Sequence, residues 1–417
     1  MIYNLLYNLG IAIYDILVHL DAPFSRKPRK MMKGHWVVYQ LLRQKIEKDS
    51  PYIWFHAASL GEFEQGRPLI ERIRAQYPQY KILLTFFSPS GYEVRKNYRG
   101  ADVVCYLPFD KPRNVKKFID LANPSMAFFI KYEFWKNYID ELHRRNIPVY
   151  SVSSIFRRTQ VFFKWYGVPY RKVLGDFNHL FVQNETSRRY LSKIGIDKAT
   201  VVGDTRFDRV LEIRDEAKDL QLIDKFKGDS LVFVAGSSWE PDEELFIEYF
   251  NNHPEMKMII APHVIDENHL VYIRSKLRRP YVQYTRADEQ NVLKADCLII
   301  DCFGLLSSIY RYGEIAYIGG GFHAGIHNTL EAAVYGIPVI FGPRYEKFME
   351  AVELIEHKGA FTIQNYDELK ALLDTMLTDK EKMQEWGNNA RNYVTSNSGA
   401  TDKILSMVEF KETSKNK

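Results

Sequence analysis

The spacing of apolar positions changes character along the chain. Over residues 2–20, Ile2, Leu5, Leu6, Leu9, Ile13, Ile16, Leu17 and Leu20 recur at i, i+3, i+4 intervals, with Asn4, Asn8, Asp15 and His19 between them. That period predicts an amphipathic helix. From about residue 50 the pattern becomes short apolar runs separated by stretches of helical periodicity, the alternation that builds a doubly wound parallel sheet. Strands are predicted at 53–56, 81–86, 103–107, 126–131, 149–152 and 179–182. Residues 206–228 are charged, helix-prone and poor in apolar side chains, which predicts a linker. The strand rhythm restarts at 231–235 and continues through 258–261, 282–284, 297–301, 315–318 and 339–341 before ending in helices. The expected fold class is α/β, with two Rossmann-like doubly wound domains facing a central cleft and ligands at the carboxyl ends of the strands. The expected divisions are a helix at 1–25, a first domain at 26–210, a linker at 211–228 and a second domain at 229–417.

Length agrees with two domains, since 417 residues exceed the ~250 to 300 that one core usually serves. Hydrophobic residues at 46% and charged residues at 26%, with 27 Tyr and 26 Phe, exclude a disordered chain. A net charge of +5 is too small to indicate nucleic acid and fits anionic substrates or lipid. Cys105, Cys297 and Cys302 have neither CxxC spacing nor neighbouring histidines, so no metal site or disulfide framework is indicated and a reducing, cytoplasmic compartment fits. Arg26, Lys27, Arg29, Lys30 and Lys33 follow the N-terminal helix. Basic residues beside an apolar face would hold that helix on an anionic membrane surface, and the alternative is a helix docked on the protein's own surface. Charges that follow the apolar stretch argue against a signal peptide, and Asp15 argues against a true span.

The richest chemistry lies in Gly319-Gly320-Gly321-Phe322-His323-Ala324-Gly325-Ile326-His327-Asn328-Thr329-Leu330-Glu331, between the strand at 315–318 and a predicted helix from about His327. Glycines admit a ligand close to the backbone, and exposed amides at a helix start attract a phosphate. Glu331, a turn further on, is placed to accept both hydroxyls of a ribose. The cluster comes too late in its domain for a dinucleotide fingerprint. Gly236-Ser237-Ser238-Trp239, Pro262-His263 and Asp301-Cys302-Phe303-Gly304 end other predicted strands and would add phosphate, sugar or base contacts. In the first half, Trp54-Phe55-His56-Ala57-Ala58-Ser59-Leu60-Gly61-Glu62 runs from a strand into a glycine turn. Glu62 there either complements a helix dipole or acts as a general base. Glu133, in Lys131-Tyr132-Glu133-Phe134-Trp135, is open to a structural or a substrate-binding role.

His56 to Glu62, the later Gly325 to Glu331, and Gly336-Ile337-Pro338-Val339-Ile340-Phe341-Gly342-Pro343 resemble the 3-deoxy-D-manno-octulosonic acid (Kdo) transferases. The resemblance extends to Tyr106-Leu107-Pro108-Phe109-Asp110 and Gly203-Asp204-Thr205-Arg206-Phe207-Asp208. It implies an inverting glycosyltransferase of GT-B architecture, transferring Kdo from CMP-Kdo to a lipid A precursor in lipopolysaccharide biosynthesis. No cofactor or metal is expected, and the implied location is the cytoplasmic face of the bacterial inner membrane. The implied catalytic residues are Glu62 and Glu133, with acceptor contacts at Ser59, Gly61, Lys131 and Arg157. Donor contacts are implied at Gly236, Ser237, Ser238, Pro262, His263, Phe303, Gly304, Gly319, Gly320, Gly321, His327, Asn328 and Glu331. The chain departs from its relatives at His263, where most carry Arg; at Ile326, where they carry Gly; at Lys136, where they carry Pro; and at Ser153-Ser154-Ile155, where they carry Asn-Ala-Arg. Other readings of the same features are a UDP-sugar transferase, a sugar-nucleotide epimerase, or a non-catalytic sugar-nucleotide sensor.

Overall fold

Strands covered by helices on both faces must be apolar throughout, and the runs read above become such strands. The computed structural model describes residues 2–410. In the first sheet, β1 (Tyr52–Ala57), β2 (Lys81–Phe86), β3 (Val103–Tyr106), β4 (Pro124–Ile130), β5 (Val149–Ser154), β6 (His179–Val182) and β7 (Ala199–Val201) are parallel. Their order is β3-β2-β1-β4-β5-β6-β7. The second sheet holds β8 (Leu231–Ser238), β9 (Met256–Pro262), β10 (Tyr281–Gln283), β11 (Cys297–Ile299), β12 (Ile315–Ile318), β13 (Val339–Phe341) and β14 (Ala360–Thr362), all parallel. Its order is β10-β11-β9-β8-β12-β13-β14. The switch point of the first sheet lies between β1 and β4, so the loop after β1 emerges where ligands bind in open sheets.

Each sheet has its own core. On one face of the first, Trp54 packs against Phe118, Phe129 and Tyr138 at ring separations of 5.0, 5.1 and 5.5 Å. On the other, Phe55 stacks on Phe128 at 4.9 Å among Ile53, Phe63 and Ile82. Phe233, Phe246 and Tyr317 fill the equivalent space in the second.

The expected divisions need correction at two places, and the expected strands at one. The chain separates into a unit of residues 2–209 with 398–410, and a unit of Val210–Asn397. The second domain therefore stops short of the expected 417, because the helix Ala400–Met407 returns to the first unit. There Ala400, Ile404, Leu405 and Val408 enter the core beside Ile70 and Ile73. Asp208 fastens its start, accepting hydrogen bonds from the Gly399 and Thr401 amides at 2.5 and 2.7 Å. The expected linker 211–228 is ordered helix for most of its length: Thr205–Asp215 runs into it, and Gln221–Lys227 buries Ile223 and Phe226. Finally, β7 and β14 were not predicted, being three residues each and lying at sheet edges.

The N-terminal helix Ile2–Asp21 docks and exposes at once. The Tyr7 hydroxyl donates to Asp110 at 2.6 Å, Asn137 donates to Asn8 at 2.8 Å, Lys111 pairs with Asp15, and Val18 packs with Met31 and Phe109. Leu5, Leu6, Leu9, Ile16, Leu17 and Leu20 lie outside this contact, between 54% and 69% exposed. The basic run belongs to a second helix, Arg26–Lys45, and Arg29 of that run turns back to bond the Ala22 carbonyl at 3.1 Å. No single helix among the described residues is long and apolar enough to cross a membrane; the bent pair Tyr3–Asp21 and Arg26–Lys45 meets the length and composition only jointly, with a 115° bend.

Replacing Asp208 by Ala leaves two amides at a helix start without an acceptor and should lower stability by about 1–2 kcal/mol. The measurement is the urea midpoint of the full chain; an unchanged midpoint would show that the C-terminal helix is held by its apolar face alone.

Candidate functional site

Two groups of side chains gather at the carboxyl ends of the strands, one in each unit. In the first, β1 ends at Ala57 and Ser59 caps the helix Leu60–Gln76. Glu62 occupies the first turn, where the helix dipole favours a carboxylate. The Ser59 hydroxyl makes no backbone cap and instead donates to Glu62. Gly61, between them, has the Ser59 hydroxyl oxygen 3.9 Å from where a Cβ would stand, an ordinary contact. Tyr132 lies within electrostatic reach of Glu62, Arg157 and Asp204. Burial raises its hydroxyl above the ordinary tyrosine range, the two carboxylates add to this, and Arg157 opposes it. Glu62, Tyr132 and Arg157 thus share one polar neighbourhood, and the sequence had marked only the first and last of them.

Glu133 is held differently. Its Oε2 receives the Trp135 indole N–H at 2.6 Å and faces His56 Nε2 at 3.1 Å. His56 is fully buried, and its Nδ1 lies 2.9 Å from the Thr85 hydroxyl, which also receives the Trp54 indole N–H at 2.8 Å. A neutral imidazole satisfies both neighbours when Nε2 carries the proton and donates to Glu133, with Nδ1 accepting from Thr85. Two of these side chains come from β1, one from β2 and two from the loop after β4, so the chain of bonds crosses three adjacent strands at their ends. Glu133 is 12% exposed and is oriented from beneath.

Three residues other than glycine adopt left-handed backbone at these strand ends: Lys131 after β4 (φ 67°), Ser153 in β5 (φ 54°) and Ser237 in β8 (φ 55°). Such conformations persist only where neighbours enforce them. The Lys131 amide donates to Val152 O at 2.7 Å, its carbonyl accepts from Ser154, and the Ser153 hydroxyl meets Thr205 at 2.9 Å. Lys131, named as an acceptor contact, is thus pinned in backbone while its ammonium lies 5.6 Å from the Tyr132 ring.

The second unit carries an aromatic and imidazole stack. Trp239, after β8, lies face to face with His323 at 4.9 Å and with His263 at 4.8 Å, and His263 stacks on His327 at 4.4 Å. The Trp239 indole N–H points at His327 Nε2 at 3.4 Å, leaving the proton of that neutral ring on Nδ1. Burial lowers both His263 and His327, the latter to about 4, with His263 adding a smaller push in the same direction. A cavity of about 440 Å³ adjoins the stack, lined by Trp239, Glu240, Val264, Asp266, His269 and His323. On the other flank, Asn328 donates to Glu331 at 3.0 Å and also accepts from the Leu330 amide at 3.2 Å.

The glycine cluster behaves otherwise than expected. No helix begins near His327: residues 320–328 form a loop, and the helix Leu330–Ala333 has four residues, too short for a strong dipole. The Gly319 amide already donates to Gly236 O at 2.9 Å and the Gly320 amide to the buried Asp242 carboxylate at 2.9 Å. Gly319 and Gly321 are small for packing, since a Cβ would strike the backbone of Ser237 and Ser238 in one case and of Gly342 in the other. Gly320 and Gly325 use the freedom of positive φ, at 94° and 130°. Ser238 also turns inward, donating to buried Glu243 at 2.7 Å, which His269 holds from its other side at 2.9 Å. Gly236 lies buried beneath Tyr310, Pro262 ends β9, and Phe303 and Gly304 stand in the turn after β11 with Phe303 exposed. Side chains rather than the Gly319 and Gly320 amides therefore supply the polar face here. Trp239 and His323 line both stack and cavity; Trp239 lay in a segment already expected to contact phosphate or sugar, whereas His323 carried no assignment from sequence, its signal being its position in the glycine loop.

A family model described as 3-Deoxy-D-manno-octulosonic-acid transferase (kdotransferase) matches residues 35–209. The 3-deoxy-D-manno-octulosonic acid transferase of Aquifex aeolicus is 28% identical over 361 residues, covering 83% of this chain and 93% of that protein. A bifunctional glycosyltransferase/methyltransferase of Fusobacterium nucleatum is 26% identical over 401 residues, 92% of this chain, which spans 60% of that protein's length. Among solved structures, the UDP-GlcNAc 2-epimerase of Neisseria meningitidis bound to UDP-GlcNAc shares the fold at TM-score 0.59 and 15% identity, over 85% of this chain and 98% of that one.

Above pH 6.5 the His327 ring is neutral in both folded and unfolded chain; as pH falls toward about 4 the unfolded chain takes up the proton first. Its contribution to stability is present above that window and declines across it. The urea midpoint of His327→Gln should fall less between pH 7 and pH 4.5 than that of the unaltered protein. Equal falls would mean the ring is not held neutral by the fold.

Proposed function

We propose that this chain, which belongs to the 3-deoxy-D-manno-octulosonic-acid transferase family, transfers Kdo from CMP-Kdo to a hydroxyl of a lipid A precursor. The observation that carries the mechanism is the placement of Glu62: a carboxylate in the first turn after β1, held by Ser59, with Tyr132 and Arg157 nearby. Glu62 takes the proton of the acceptor hydroxyl as that oxygen bonds to the anomeric carbon. The bond from that carbon to the CMP phosphate breaks on the opposite face, and its electron pair leaves with CMP, inverting the centre. Arg157 and Lys131 bind the acceptor's negative charge. Glu133, braced by His56 and Trp135, orients the acceptor sugar and does not compete with Glu62 as base.

In the second unit, His263, at a position where most relatives carry an arginine, and His327 meet the departing phosphate. Asn328 orients Glu331 for the ribose hydroxyls. Trp239 and the cavity beside it offer an apolar wall to base or sugar. This arrangement needs no metal ion in the transfer. The exposed leucine face of the helix Ile2–Asp21, with Arg26, Lys27, Lys30 and Lys33 on the next helix, apposes the first unit to an anionic membrane at the cytoplasmic face of the inner membrane, where the lipid acceptor resides. Likeness to epimerases concerns the fold, and an outward leucine face has no use in a reaction on a soluble nucleotide sugar.

Glu62→Gln should fold normally and bind CMP with unchanged affinity while kcat falls by ~10²- to 10⁴-fold, the usual worth of a positioned base. Turnover within a few-fold of the unaltered enzyme would remove Glu62 from that role.

Changing Leu5, Leu9, Ile16 and Leu20 together to Ser leaves the Tyr7 and Asn8 contacts intact and should release the protein from anionic vesicles. Transfer to a bilayer-embedded acceptor should drop much more than transfer to a detergent-dispersed one. Equal activity on both would show that the leucine face serves no membrane.

A further inference from the structure

Between β5 and the helix Val168–Gly175 the chain makes a braced turn that, beyond Arg157, the proposed chemistry does not use. Its base is rooted in the first unit's core, with Phe162 buried and Phe163 packed against Tyr190 at 5.4 Å. The turn is closed by the Lys164 amide on Val161 O at 3.1 Å, the Gly167 amide on Lys164 O at 3.0 Å, and Arg171 Nε on Phe162 O at 3.0 Å. Gly167 sits so tightly against the Val161 carbonyl that any side chain would collide with it. On this fixed support Trp165 is 87% exposed, Tyr166 57% and Val168 53%. Large amphipathic rings held out into water on a rigid turn mark a binding surface, and Trp and Tyr are the rings that settle at a lipid headgroup boundary.

The position of the turn names its occupant. Tyr170, one helical turn beyond Tyr166, meets Tyr3 edge-on at 4.7 Å and Tyr7 at 6.5 Å. The helix that begins directly after the exposed rings therefore packs on the end of the N-terminal helix that displays Leu5, Leu6 and Leu9. Arg158 and Lys164 flank them, and among the described residues neither forms an ion pair. Apolar rings continuous with an apolar helix face, edged by unpaired cations, complement an anionic bilayer.

We propose that Trp165, Tyr166 and Val168 form a second membrane contact, seated at the headgroup–acyl boundary beside the N-terminal helix, with Arg158 and Lys164 on anionic headgroups. The proposal rests on the reading of that helix as membrane-apposed. One helix lying on a bilayer leaves the protein free to roll about the helix axis. A second contact carried on a different part of the same unit removes that freedom and fixes which side of the unit faces the lipid.

The test uses the full chain with phosphatidylethanolamine and phosphatidylglycerol vesicles whose acyl chains are brominated near the headgroup. Six tryptophans are present, so the Trp165 signal is the difference between the unaltered protein and Trp165→Phe. Bromolipid should quench the unaltered protein measurably more than Trp165→Phe. A Trp165→Ser, Tyr166→Ser, Val168→Ser variant with unchanged circular dichroism and melting temperature should partition to vesicles roughly tenfold more weakly, about what loss of one buried aromatic side chain predicts. Equal quenching in a protein that does bind vesicles overturns this proposal and leaves the helix tether standing. Failure of the unaltered protein to bind vesicles overturns both.

Discussion

The Asp110 carboxylate, buried within the first unit, is the joint on which that unit's functional geometry depends. One oxygen takes the Tyr138 amide at 3.0 Å; the other takes the Asn137 amide at 3.0 Å and the Tyr7 hydroxyl at 2.6 Å. Two of these donors are orphan amides at the start of the helix Lys136–Arg144, and the third belongs to the N-terminal helix. Burial pushes Asp110 up to about 6, against the downward pull of its hydrogen bonds and Lys136. The helix capped in this way begins directly after Glu133 and Trp135, so the same carboxylate that seats the N-terminal helix also fixes where the Glu133–His56 contact is made. A lone charge in that place would be strongly destabilising, and its partners come from two helices that also meet directly through Asn137 and Asn8.

Asp242 plays the corresponding part in the second unit. It accepts from the Tyr317 hydroxyl at 2.9 Å, the Gly320 amide at 2.9 Å and the Trp239 amide at 3.1 Å, and burial raises its pKa. These bonds join the end of β8 to the end of β12, which places Trp239 beside the loop that brings His323 and His327 to it. In both units a buried aspartate organises the loops that hold the candidate site's side chains. That division of labour follows from the parallel sheet: its interior is apolar on both faces, so polar organisation is possible only at the strand ends.

Much of this was legible in advance. Twelve of the strands follow from apolar runs bounded by turn residues, and the places of Glu62, Glu133, Glu331 and the histidines at strand ends follow from that register. The glycine cluster was misread because composition cannot separate a glycine that leaves room for a ligand from one that leaves room for the backbone. Gly319 and Gly321 prove to be of the second kind, and the helix expected at His327 is displaced because Gly320 and Gly325 curl the loop first, with the His323 and Gly325 amides both bonding Gly320 O. Nor could sequence show that the Asp204-Thr205-Arg206-Phe207-Asp208 segment ends in a cap for a helix nearly two hundred residues later. Such a partner is defined only after the chain has folded back.

The N-terminal helix shows the limit of periodicity most clearly. Its stripe of leucine and isoleucine is regular enough to predict a helix with two unlike faces, and the usual inference is that the apolar face meets the protein. Here Tyr3, Tyr7, Tyr14 and Asp15 face inward, against Tyr170, Asp110, Phe109 and Lys111, and the leucines are left outside. The inward face is the more polar one because it must be held in one register: the tyrosine rings pack on the first unit, and the Tyr7 hydroxyl reaches the specific acceptor Asp110. Leucines have no such specificity. The inversion separates two tasks along one helix. Polar and aromatic contacts determine where the helix sits on the protein, and the apolar stripe is left outside that contact.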